Sequence, residues 1–180
     1  TAHLLALARA QGSRLERFDH ISTAYVAGDR EGLALETEVD VGQRPRNAYE
    51  ASKLEAEVEV HHARQEGLPV AVHRPSIVVG DARTGRAASF KVLYWPLAVY
   101  ARGRFRTVFG RAECPIDVVP VDFVADAILA LCARPGSLGG CYHLCAGPRR
   151  QSSVGELAGY AQAELGGRPS EIRVVPVHRH

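Results

Sequence analysis

The chain has 180 residues, 46% hydrophobic, 23% charged and 7% aromatic, with a formal net charge of +2 and a pI near 8.4. That balance excludes a disordered or fibrous chain and is too weakly basic for a dedicated nucleic-acid binder, while the length suits one domain with a sizeable core. The longest apolar run, Val92 to Ala101, contains Pro96 and falls well short of the roughly 20 residues of a membrane helix, so no span is expected.

Residues 2–10 are strong helix formers, and Gly12 stands where a helix stop belongs. Phe18 to Val26 is β-prone and reads as a buried strand, followed by a long Gly-, Asp-, Arg- and Pro-containing connection over 29–47. Tyr49 to Glu66 lacks Gly and Pro and ends at Gly67, which predicts a helix. Leu68 to Val79 is a second strand, nearly continuous in apolar residues except at His73-Arg74-Pro75-Ser76. Strand, helix and strand in this order predict a parallel crossover unit, hence an α/β class. Beyond it lie a loop over 81–90, an aromatic then Arg-rich stretch over 91–110, and a helix from Phe123 to Ala133 with Asp122 as its cap. A strand at Cys141 to Cys145, a helix at Val154 to Leu165 and a strand at Ile172 to Val177 complete the pattern.

Two counts add constraints. There is no Met, so Thr1 is not an initiator and the chain is expected to be a processed product or an excised piece. The four cysteines (Cys114, Cys132, Cys141, Cys145) form neither a C-x-x-C pair nor a zinc-site spacing; they read as reduced, mostly buried thiols of a cytoplasmic protein, with no metal.

Lys53 is one of only two lysines, and it follows Tyr49 by four residues, which puts a phenol and an ammonium on one helix face. A nearby cation favours the phenolate, making the tyrosine a usable general acid toward a carbonyl oxygen. Ser22 and Thr23 lie at the carboxyl end of the preceding strand, where open α/β sheets bind ligands.

Three segments carry a family resemblance: His20-Ile-Ser-Thr-Ala-Tyr-Val-Ala-Gly28, Asn47-Ala-Tyr-Glu-Ala-Ser-Lys-Leu-Glu-Ala-Glu57 and His73-Arg-Pro-Ser-Ile-Val-Val-Gly80. Together with Ile116 to Ala127 and Tyr142-His-Leu, they resemble the extended short-chain dehydrogenase/reductases, most of all the branch of fatty acyl-CoA and thioester reductases. The resemblance implies a doubly wound, Rossmann-type parallel sheet with a small substrate-binding subdomain built from segments about 81–115 and 148–180. It implies Thr23 as the catalytic hydroxyl, Tyr49 as acid/base and Lys53 as the residue that also holds the nicotinamide ribose. Ser22, Pro75, Ser76 and Ile77 would join these in contacting an NADP or NAD cofactor. The implied reaction is hydride transfer to the carbonyl carbon of a small-molecule or carrier-bound thioester, with Tyr49 protonating the oxygen, giving a hemithioacetal that collapses to an aldehyde.

The family's Gly-rich pyrophosphate turn is missing: none of the 17 glycines forms G-x-G-x-x-G or G-x-x-G-x-x-G. The chain is therefore expected to start in mid-domain, to leave NAD-versus-NADP preference unreadable, and to associate with itself or with the missing N-terminal half through a bare strand edge near Ile21. Rival readings are a nucleotide-sugar epimerase or dehydratase, a hydroxysteroid- or flavonoid-type reductase, a cofactor-binding module without turnover, and an inactive fragment. Among weaker signals, Arg102, Arg104, Arg106 and Arg111 with Phe105 and Phe109 read as a solvated loop, or as a grip on phosphopantetheine or an acidic carrier. Tyr94, Trp95, Leu97 and Tyr100 either line an acyl pocket or pack ordinarily. His61 and His62 are read as surface residues, and Asp117 and Asp122 as turn and cap residues.

Overall fold

The computed structural model describes residues 1–87, 94, 99, 107–109, 111–165 and 173–175. In chain order the elements are α1 (Ala2–Gln11), β1 (Phe18–Ile21), α2 (Ala48–Gln65), β2 (Val70–Pro75), β3 (Ile77–Val79), β4 (Thr107–Phe109), β5 (Pro115–Ile116) and β6 (Val118–Pro120). These are followed by α3 (Val121–Ala133), β7 (Cys141–Leu144), β8 (Ser152–Ser153), α4 (Val154–Leu165) and β9 (Arg173–Val175). They divide into two compact units, one formed by Thr1–Val78 with Val121–Cys145 and the other by Val79–Pro120 with Ala146–His180.

The first unit is an α/β layer on a parallel sheet of order β1-β2-β7. β1 pairs with β2 from Phe18↔Val70 to Ile21↔His73, and β2 with β7 from Val72↔Cys141 to Pro75↔Leu144. Because β1 and β2 run parallel, the chain must return the full length of the sheet between them, and α2 makes that return. Every residue of β2 is buried, as expected of a central strand, which explains the apolar run Val70-Ala71-Val72 that opens it. Leu5 of α1, Val60 and Ala63 of α2, and Val70 and Val72 of β2 form the core on one face, with Phe18, Leu68 and Cys141 packed against it. Each fully buried Leu or Val contributes about 1.5–3 kcal/mol of transfer free energy there.

Helix ends follow local chemistry. Asn47 caps α2 by accepting the Glu50 N–H at 2.9 Å, and the Glu50 carboxylate reaches back to accept the Arg46 N–H at 2.7 Å, one residue beyond the usual reciprocal box. Gly28 closes the turn after β1 at φ 57°, where an added Cβ would lie 2.5 Å from the Arg44 carbonyl oxygen. Only glycine lets the two ends of the 29–47 connection approach so closely.

In the second unit β5 pairs antiparallel with β8 and β4 parallel with β9. The Asp117 carboxylate accepts the Ala146 and Gly147 N–H groups at 3.0 and 2.8 Å, fixing a turn as expected. Ser153 and Glu156 form a reciprocal cap at the start of α4. The Tyr94 hydroxyl accepts the Gly80 N–H at 2.7 Å.

Several boundaries differ from the sequence expectation. The first strand stops at Ile21, because the Thr23 hydroxyl accepts the Tyr25 N–H and starts a 3-10 turn over Ala24–Ala27. The second strand divides into β2 and β3 after Pro75, which has no N–H to give to a ladder. α3 starts at Val121, so Asp122 lies in its first turn rather than at its cap. Cys114 and Cys132 are exposed, and Cys141 and Cys145 half-buried, so the four cysteines are not mostly buried. Trp95, Leu97, Tyr100, Arg102, Arg104, Phe105 and Arg106 lie outside the described residues, as does the Phe109 side chain.

Candidate functional site

The carboxyl ends of β1 and β2 bring several of the singled-out residues together. Past β1, the Ser22 N–H donates to the His73 carbonyl at 2.7 Å, which continues the β1–β2 ladder by one step. The Thr23 hydroxyl points across to β2, 3.5 Å from the Pro75 carbonyl oxygen, at the long limit for a hydrogen bond. From α2, the Lys53 ammonium donates to the Ile21 carbonyl at 3.1 Å, tying the helix to the end of β1. Thr23, Lys53 and Pro75 therefore converge on one sheet edge. Ser76 follows Pro75, with its N–H on the Leu144 carbonyl at 3.2 Å, and Ile77 opens β3, half-buried.

Tyr49 sits one turn before Lys53, at the start of α2, and is 54% exposed. Its placement depends on the Asn47–Glu50 cap, because that cap fixes where the first helical turn begins. Glu50, inside the same turn, is buried.

Two buried hydroxyls at this edge, Ser22 Oγ and Ser76 Oγ, have no hydrogen-bond partner among the described residues. Buried polar atoms are rarely left unpaired, since each costs about 1–3 kcal/mol. Two of them on adjacent strand ends, beside a lysine, suit a bound group rich in amide and hydroxyl functions. A nicotinamide cofactor has that donor and acceptor set.

Sequence reasoning missed a second set of residues just beneath. Arg74 and Glu57, 2% and 1% exposed, form an ion pair. Arg74 Nε donates to both Glu57 carboxylate oxygens at 3.0 and 3.2 Å, and Nη2 donates to one of them as well. Burial works against the charged guanidinium, but the Glu57 hydrogen bond and charge outweigh it and hold Arg74 above the ordinary arginine value. A signal was available: Glu57 stands eight residues after Tyr49 and four after Lys53, on the same stripe of α2.

A third group lies on the other side of the strands. His73, fully buried, donates from Nε2 to Asp19 at 2.7 Å, and Arg17 grips the same carboxylate at 2.5 and 2.9 Å. Burial raises the Asp19 carboxyl, yet the Arg17 and His73 hydrogen bonds prevail and hold it below the usual carboxylate range. The His73 ring stacks on Tyr142 with centroids 6.0 Å apart.

His20 is buried with its Nε2 unpartnered among the described residues, and that burial pushes it down from 6.5 to about 4, against the attraction of Glu57. The unfolded chain therefore binds a proton that the native state refuses between pH 6.5 and about 4. Native stability should fall as pH drops through that window, by up to about 3 kcal/mol for this residue alone. Urea unfolding at a series of pH values should show a shallower acid slope in His20→Phe; His61 and His143, also lowered by burial, retain the remainder.

A family model of NAD-binding proteins, described as male sterility protein, matches residues 1–128. The chain belongs to that family. Within the wider set of relatives, a linear gramicidin synthase of Brevibacillus parabrevis is 30% identical over 152 residues, which is 80% of this chain and 3% of that protein. A Drosophila melanogaster protein provisionally named a fatty acyl-CoA reductase is 37% identical over 75 residues, 38% of this chain and 13% of its own length. Among solved structures, the terminal R domain of the myxalamid PKS-NRPS pathway superposes with a TM-score of 0.74 at 28% identity, over 95% of this chain and 42% of that one. The dTDP-glucose 4,6-dehydratase of Bacillus anthracis, solved with NAD, superposes at 0.69 with 20% identity over 97% of this chain and 54% of its own, a likeness of fold. The male sterility family thus has here the Rossmann-type α/β fold of the extended short-chain dehydrogenase/reductases. This chain spans a small part of the curated relatives and about half of these solved chains.

Among the described residues no helix is long and apolar enough to cross a membrane, and no cluster of His, Cys, Asp or Glu could hold a metal ion.

Proposed function

We propose that this chain carries the catalytic edge of a reductase that converts an acyl thioester, free or carrier-bound, to an aldehyde at the expense of NADPH or NADH. The observation that carries the reading is the convergence of Thr23, Lys53 and Pro75 at the carboxyl ends of β1 and β2, with Tyr49 one helical turn from Lys53. The likeness to a PKS-NRPS R domain and to a protein named as an acyl-CoA reductase supports the thioester as substrate class.

Lys53, Ser22 and Ser76 would hold the nicotinamide cofactor, which supplies the hydride when bound. Tyr49 gives its phenolic proton to the thioester oxygen as the carbonyl carbon is reduced, and Thr23 donates a hydrogen bond to that same oxygen. The Lys53 ammonium stabilises the phenolate left on Tyr49. The phenolate then takes the hydroxyl proton of the hemithioacetal; the C–S bond breaks, the aldehyde forms, and the thiolate leaves to be protonated by water. One hydride and one proton are consumed for each aldehyde and thiol released.

The test is incubation with NADPH or NADH and a panel of acyl-CoA thioesters, with the aldehyde trapped as a hydrazone. The expected result is one aldehyde for each reduced cofactor lost. Conversion of a nucleotide sugar with no net loss of cofactor, and no aldehyde from any thioester, would overturn the reading in favour of an epimerase.

A further inference from the structure

The 29–47 connection starts immediately after the Thr23 turn and ends at Asn47, the cap of the helix that bears Tyr49. It contains no helix or strand, so its own backbone hydrogen bonds cannot hold it as a unit. Arg74 holds it from below. Besides its bonds to Glu57, the guanidinium donates from Nη2 to the Glu38 carbonyl at 2.5 Å and from Nη1 to the Leu35 carbonyl at 3.3 Å and to His143 Nε2 at 3.2 Å. One buried side chain thus joins β2, α2, β7 and the middle of the connection. Around it, Arg30 pairs with Glu38, Gln43 Nε2 donates to the Val26 and Val39 carbonyls at 3.0 and 2.7 Å, and Glu36 accepts the His143 N–H at 2.6 Å. The backbone of Arg74 also immediately precedes Pro75, whose carbonyl faces the Thr23 hydroxyl.

We propose that Arg74 is a positioning residue: its buried fork clamps the 29–47 connection at Leu35 and Glu38, and so fixes the start of the Tyr49 helix relative to Thr23. The catalytic half of this inference rests on the thioester-reductase reading above; the clamp itself does not. A planar guanidinium is needed, because it must serve a carboxylate and two carbonyls in fixed directions, which an ammonium cannot do. The bond count also separates clamping from ordinary stabilisation. Glu57 neutralises the charge, whereas the carbonyl bonds secure the connection and add nothing to charge balance.

Arg74→Lys and the double variant Arg74→Met/Glu57→Leu test it together. The double variant replaces a buried ion pair with apolar groups of similar size, a change that is often neutral or stabilising, so it keeps the fold while deleting the carbonyl bonds. Trypsin can cut the connection after Arg30 and Arg46, while Arg44 is shielded by Pro45. In both variants, cleavage at those two bonds, assigned by mass spectrometry, should be at least about tenfold faster than in the unaltered protein. Amide exchange in peptides covering 44–52 should rise with it. kcat on the thioester should fall by roughly 10- to 100-fold with KM for the cofactor little changed, the signature of a misplaced acid rather than a lost binding contact. A double variant with unaltered melting temperature, trypsin cleavage and exchange would overturn the clamp. Faster cleavage and exchange with unaltered kcat would overturn the positioning role. Should no thioester be reduced by the unaltered protein, the reductase reading falls, while cleavage and exchange still decide whether Arg74 orders the Tyr49 helix.

Discussion

Glu57→Ala should destabilise the first unit by about 3–5 kcal/mol, because it leaves the Arg74 guanidinium buried without its carboxylate. For a chain of this size that corresponds to a fall in melting temperature of roughly 10 °C, readable by scanning calorimetry. The effect is large because, among the described residues, the remaining acceptors of the guanidinium are the Leu35 and Glu38 carbonyls and His143, none of which carries a negative charge. The double variant Arg74→Met/Glu57→Leu should recover most of that loss, since the penalty belongs to the unpaired charge and not to the absence of the pair. A Glu57→Ala protein that melts at the original temperature would mean that water reaches the guanidinium.

Tyr49→Phe should lower kcat by roughly 100- to 10,000-fold, the usual worth of a positioned general acid. It removes one oxygen from a side chain that is already half exposed, so neither the fold nor the Lys53 contact to Ile21 should change. Calorimetric titration of NADPH, and then NADH, into both proteins should give dissociation constants within about a factor of two of each other, separating the loss of chemistry from the loss of binding. Turnover that survives the substitution would assign the proton to another donor.

Much of the fold was legible because its signals are local. The Gly12 and Gly67 stops, the unbroken helical stretch of α2 and the buried apolar run of β2 are each decided within a few residues of sequence. The Tyr49–Lys53 spacing was legible for the same reason, as a helix turns one residue over its fourth neighbour. Where a local polar contact competes with strand formation, the reading failed: the Thr23 hydroxyl ends β1 early by capping its own turn. The Arg74 cluster was not legible as a cluster. Its partners stand at positions 35, 38, 57 and 143, and only the folded sheet brings them within hydrogen-bond reach. Arg74 reads in sequence as a polar interruption of a strand, although a buried arginine in a central strand demands a carboxylate. The pairing of Asp19 with His73 is hidden in the same way, by a sequence separation of 54 residues.

On the proposed reductase reading, hydride from the nicotinamide and the Tyr49 proton both reach the carbonyl of one thioester at this sheet edge. The test uses NADPH and NADH with both C4 hydrogens of the nicotinamide replaced by deuterium, an acyl-CoA substrate, and mass spectrometry of the trapped aldehyde. One deuterium at the aldehyde carbon with the unaltered protein, and no aldehyde with Tyr49→Phe, is the predicted result. Aldehyde without label, or label transferred equally well by Tyr49→Phe, would contradict it.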